Sequence, residues 1–267
     1  MSSTRAQNRY YKIGCTEIMT VNTVASTNKE NRPLLIIAGR DSNGKFFIIL
    51  RAFLPHEQSW TFRWIFSIVP PKMFSLTVIK KDRVIISDGD SQEYQQIDNA
   101  IETYFPSVLC LRCGWHIVDR GWNRHMSSKR ECNVNAHEFY SRTKSILQNW
   151  MYSWMKPGIE TREEYMLSKY LLLKYVNSPQ AVEQLGTLMA SHMVLFLRKY
   201  IDPHESKFLF YLRKHVRHYA EYSNSVHEGT NNALKYSSTP VKPSFLLSHS
   251  FQLINTQAEM SSLGYTS

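Results

Sequence analysis

The hydrophobic pattern of this chain changes period near residue 120, and that change limits the folds open to it. Before it lie short apolar runs of strand length: CTEIMTVN (15–22), PLLIIAG (33–39), KFFIILRAFL (45–54), DRVIIS (82–87) and SVLCLRCGW (107–115). The turn cluster RDSNG joins the second and third as a hairpin. Two segments between the runs have helical period. HEQSWTFRWIFSIVPPK (56–72) is aromatic-rich and expected to end at Pro70-Pro71. SQEYQQIDNAIETYF (91–105) aligns Tyr94, Ile97, Ile101 and Tyr104 on one stripe. Beyond residue 120 the segments beginning AHEFYS, TREEYM, PQAVEQ and HESKFL are amphipathic helices without a strand among them. The order β-β-β-α-β-α-β followed by helices predicts an α/β layer with an inserted or appended helical piece. The tail from Ser237, rich in Ser and Thr with Pro240 and Pro243, reads as loop or frayed end.

Apolar residues make up 43% of the 267 and charged residues 20%, a folded composition with enough chain for a sizeable core. No run approaches the ~20 apolar residues of a membrane span, and the polar start MSSTRAQNRYYKIGC has no secretory core. Cys15, Cys110, Cys113 and Cys132 are therefore expected as thiols or metal ligands and not as a disulfide framework. The formal charge of +10 suits a polyanionic partner such as nucleic acid.

Three stretches carry candidate chemistry. In VIISDGDSQE (84–93) an apolar strand stops on two acids. Asp90 with Glu93 makes a capping-box-like start for the helix that follows. Asp88 is left at the strand's C-terminal edge, where α/β sheets bind ligands. In LCLRCGWHIVDRGW (109–122), Cys113 and His116 form a C-x2-H pair, with Cys132 and His137 downstream. Such a pair fits either half a zinc site or a buried thiol beside a satisfied histidine. In SVHEGTNNALKYSS (225–238), Glu228 opens a short helical stretch and alone signals nothing beyond a favourable helix end.

Taken together, RAFLPHEQSWTFRWIF (51–66), VIISDGDSQEYQQIDNAI, RCGWHIVDRGW and HEGTNNALK resemble the Mutator-like element (MULE) transposases from about residue 16 to about 236. The resemblance implies an α/β, RNase H-like mixed sheet flanked by helices, with an all-helical insertion before the last catalytic helix. It implies a DDE-type site for metal-dependent DNA cleavage and transfer, with Asp88 as the second acid and Glu228 as the last. Mg2+ or Mn2+ would be the cofactor, held by carboxylates, with Zn2+ the ion for Cys113 and His116. The family's early-strand stretch resembles V-D-x-T-x-x-T-N, and here VNTVASTN puts Asn22 in the place of the Asp. Asp41, in the hairpin turn, is the first Asp in the chain and cannot substitute. An amide gives one neutral oxygen where a charged carboxylate would bridge two ions, so a damaged active site is expected.

The expected division is an RNase H-like core over 16–120, a helical insertion over 121–222, a returning core helix with Glu228 over 223–236, and a tail over 237–267. The family's N-terminal DNA-binding finger and C-terminal SWIM-type finger are missing from the sequence, which reads as a truncated core. The implied partner is DNA, bound nonspecifically, in the nucleus and not at a membrane, with room for a homo-oligomer. The competing reading is a non-catalytic DNA- or protein-binding protein, with the basic segment 204–219 (Lys207, Arg213, Lys214, Arg217, His218) as its surface.

Overall fold

The computed structural model describes residues 18–40, 46–73, 84–87, 91–122, 125, 136–151, 158–185, 187–215 and 241–262. The chain divides into two compact units. One comprises Met1–Asp88, Gln92–Cys110 and Asn224–Ser267, and the other Gly89–Ser91 and Leu111–Ser223. Among the described residues no helix is long and apolar enough to cross a membrane.

A five-stranded mixed sheet, carried by the first unit except for the last two residues of β5, comprises β1 (Ile18–Val24), β2 (Leu34–Arg40), β3 (Phe46–Phe53), β4 (Val84–Ser87) and β5 (Leu109–Arg112). Its order is β3-β2-β1-β4-β5. β1 to β3 form an antiparallel meander, with a register irregularity between Ile37 and Ala38. β4 joins β1 in parallel, from Ile18↔Val84 to Val21↔Ser87. These strands are runs of Val, Ile and Leu because both faces are covered. On one face Met19, Val21, Leu35, Ile37 and Ile85 pack against two helices. Helix α1 (Ser59–Met73) contributes Phe62, Ile65 and Phe66, and α2 (Ser91–Tyr104) contributes Ile97, Ala100 and Ile101. On the other face Val24, Leu34 and Ile36 meet Val241 and Ile254. This is a mixed α/β sheet flanked by helices, consistent with the RNase H-like fold expected from the sequence.

Two expectations about this unit change. α1 does not end at Pro70 but runs to Met73, since proline's fixed φ suits a helix even though each ring removes one N–H from the ladder. The segment Leu247–Ser262, expected as loop or frayed end, is a helix (α7) with Ile254 buried in the core. Its N-terminus is tied down by the β1–β2 loop. Leu247 N donates to Glu30 Oε2 at 2.9 Å, and Ser250 Oγ donates to the Thr27 carbonyl at 2.8 Å.

The second unit is helical: α3 (Ala136–Met151), α4 (Arg162–Val176), α5 (Pro179–Leu185) and α6 (Thr187–Phe196), with a π-helical turn His116–Trp122. Trp122, Phe139, Trp150, Tyr165, Leu172, Phe196 and Phe208 lie in one core. α4 starts with a reciprocal capping box, in which Glu164 N donates to Thr161 Oγ1 and Thr161 N to Glu164 Oε2. The basic segment 204–219 is not one solvated helix. A 3-10 turn (Asp202–Lys207) stops at buried Phe208 and Leu209, and a single helical turn (Phe210–Arg213) follows. Arg213 is buried and donates to the Met151 carbonyl, and Lys214 donates to the Glu160 carbonyl at 2.7 Å. These cations fasten helices to one another. Arg217 and His218 lie outside the described residues.

Candidate functional site

Asn22 sits on central strand β1, near its C-terminal end, and is 2% exposed. Its backbone lies opposite Ile36. Strand alternation puts it on the face of Val24 and Ile36, away from the core that holds Val21. The parallel register with β4 closes at Val21↔Ser87, so Asn22 is the next residue of β1 just as Asp88 is the next residue of the chain after β4. Asp88, Asp90 and Glu228 lie outside the described residues.

The loop that follows β1 contains the Thr-Asn pair of the early-strand motif, and its role is visible in hydrogen bonds. Asn28 is fully buried. Its Nδ2 donates to the Arg32 carbonyl at 2.6 Å and to Thr27 Oγ1 at 3.2 Å, while its Oδ1 accepts from Arg32 N at 2.9 Å. One side chain thus imitates a strand partner for Arg32. Arg32 in turn donates to the Pro55 carbonyl at 2.8 Å, and Lys29 N to the Phe245 carbonyl at 2.7 Å. Ser26 and Asn31 take positive φ (61° and 52°) to make the bends. The backbone just beyond Asn22 is therefore fixed at several points.

Cys113 and His116 are both buried and share one helical turn directly after β5. The Cys113 backbone carbonyl accepts from Ile117 N at 3.3 Å, and the His116 ring meets Trp115 edge-on with centroids 4.8 Å apart. Cys110 and Cys113 form no disulfide. A structural zinc site needs four ligands. Among the described residues no group of three or more His, Cys, Asp or Glu is placed to hold a metal. Cys15 and Cys132 lie outside them, and so does the side chain of His137.

Gly121 is a structural constraint on the turn that carries His116. A Cβ there would lie 2.9 Å from the His116 carbonyl oxygen, five residues back. The π-helical turn that carries His116 closes over its own backbone at that point, and only glycine leaves room. The signal in the sequence is the second glycine of CGWHIVDRGW.

Chemically, Asn22 can offer a metal ion one neutral oxygen, where an aspartate would offer a negative charge shared over two oxygens. A search of curated proteins returned no match to the chain. Residues 18–120 match the family model described as the MULE transposase domain.

Proposed function

We propose, from the match of residues 18–120 to the MULE transposase domain model, that the chain is a MULE-type transposase catalytic core whose DNA strand cleavage and transfer are lost or severely impaired. The observation that carries this reading is Asn22, buried at the end of the central strand beside the end of β4. In the proposal Asn22 occupies the position of the first acid, Asp88 supplies the second, and Glu228 supplies the last. The helical block 121–222 is then an insertion between the second and last acids.

Transposases of this kind use divalent metal in general, and hard ions such as Mg2+ or Mn2+ prefer carboxylate oxygens. Two such ions ordinarily clamp the attacking and leaving oxygens of a phosphodiester displacement. The donor set here fits them poorly, because two carboxylates and an amide would have to balance two dications. Asn22 keeps the shape of the strand end and supplies no charge to it.

The test is strand nicking of supercoiled DNA with Mg2+ or Mn2+. The expected result is little or no nicking by the wild-type chain. Robust nicking that vanishes in Asp88→Ala sinks the inactive-core reading.

A second reading, a DNA-binding protein without catalysis, has one observation in its favour besides the charge of +10. α1 exposes Trp60 (49%), Trp64 (51%) and, between them, Arg63. Flat aromatic and guanidinium faces of this kind suit stacking and phosphate contact. Affinity for DNA that does not change between low and moderate salt removes this reading.

A further inference from the structure

Helix α4 shows solvent a stripe of large apolar side chains that the fold of its own unit leaves uncovered. Met166, Leu167, Tyr170 and Leu171 are 53%, 59%, 60% and 52% exposed. The opposite face is firmly seated. Tyr165, Leu172 and Val176 are buried, Ser168 Oγ accepts from Trp150 Nε1 at 2.8 Å, and Lys169 Nζ donates to Asp202 Oδ1 at 2.7 Å. The helix cannot roll to hide the stripe without breaking those contacts. Contiguous exposed apolar surface of this kind marks an interaction site.

The stripe has a symmetry of its own. Counting outward from the Ser168–Lys169 peptide, Leu167 mirrors Tyr170, Met166 mirrors Leu171, and the exposed acid Glu163 mirrors the exposed base Lys174. An antiparallel copy of the same helix across a two-fold axis would set each residue against its mirror position, large apolar on large apolar and acid on base. Arg142 lies with Lys174, Leu171 and Tyr175 around one open cavity, its guanidinium 4.3 Å from the centre of the Tyr175 ring. A second cation therefore waits where the incoming Glu163 arrives. An acid in the first turn and a base in the last also suit the helix dipole, but the dipole does not account for the four apolar residues between them.

We propose that α4 is the dimer interface of this protein, pairing with α4 of a second copy in an antiparallel, two-fold contact. Self-complementarity is what a two-fold interface demands of a single surface patch, and helices packed this way lie about 8–10 Å apart. A single helix pair is a small interface, so the dimer should be concentration-dependent, with a Kd of roughly micromolar order. The proposal rests on the helical unit alone and is independent of the state of the nuclease site.

Sedimentation velocity on the full chain from about 1 to 200 μM tests it, and a monomer–dimer equilibrium is expected. Leu167→Glu should leave a monomer with unchanged thermal unfolding. Glu163→Lys and Lys174→Glu should each weaken the dimer about tenfold, because each reversal spoils two symmetry-related pairs. The double reversal should recover part of the loss, since Arg142 still opposes a lysine at position 163, and a foreign apolar partner would not require that recovery. A monomer throughout, a dimer indifferent to Leu167→Glu, or a double reversal no better than the singles overturns the proposal.

Discussion

Val21 lies opposite Ser87 across the parallel seam of β1 and β4, and each is followed in the chain by a residue of the candidate site, Asn22 and Asp88. Changing Asn22→Asp puts a carboxylate at a position that is 2% exposed. Burial without a counter-ion penalises the charged form, so the variant should be about 1–3 kcal/mol less stable than wild type in EDTA. Mg2+ or Mn2+ should recover most of that loss in the variant and change the wild-type melting temperature little. Nicking should also rise in the variant. A melting temperature that ignores metal in both proteins argues against any ion site at the end of β1.

Asn28 holds the loop that begins just past β1, and its bonds go to one residue's N–H and C=O. Asn28→Ala leaves both Arg32 backbone groups without their buried partner and should cost about 2–3 kcal/mol. Asn28→Asp keeps an acceptor but sets a charge 2.6 Å from a carbonyl oxygen, so it should be no milder. Urea unfolding with unchanged slope is the measurement. A loss under about 0.5 kcal/mol in both variants shows that the loop is held by its other bonds.

The strands were readable because runs such as PLLIIAG and VIIS are buried on both faces and bounded by turn residues, and the observed β2 and β4 coincide with them to within a residue. The helical block was readable through its period. Local composition misled in three places. Pro70 and Pro71 looked like a stop yet tolerate a helical backbone. The Ser and Thr of the tail obscured Leu253 and Ile254, which pack α7 on the sheet. The basic spacing of 204–219 obscured Phe208 and Leu209, whose burial breaks the helix and turns Arg213 inward. Position 22 stands out in the sequence because an Asn in an Asp position is a local substitution. The structural roles of Asn28 and Gly121 do not, because they depend on which backbone groups the fold brings within reach.

Gly121→Ala should destabilise the helical unit by about 1–3 kcal/mol, since the clashing atom is a backbone carbonyl with little freedom to move. Trp122, next in the chain, is fully buried against Phe196, with ring centroids 5.0 Å apart. The variant should therefore show a weakened near-ultraviolet aromatic dichroism as well as a lower melting temperature. A variant as stable as wild type with the same aromatic signal would mean that the π-helical turn relaxes freely.

Tyr165 and Lys169 give the helical unit an alkaline limit. The Tyr165 hydroxyl donates to Glu205 Oε1 at 2.6 Å, and burial followed by that bond pushes its pKa well above the ordinary 10.0. For Lys169, burial alone would lower the pKa, but hydrogen bonds and charge from Asp202 and Glu205 outweigh it and leave the value above 10.5. Both folded-state values are raised, so the folded protein holds protons that the unfolded chain releases above about pH 10. Their stabilisation is complete below the unfolded values and is lost as pH climbs through the folded ones. Unfolding free energy should be flat from about pH 7 to 9 and fall steeply beyond 10. Tyr165→Phe should cost about 1–2 kcal/mol at neutral pH by removing the bond to Glu205. It should also flatten the alkaline fall, leaving the part due to Lys169. An equally steep fall in Tyr165→Phe would assign the alkaline limit to other groups.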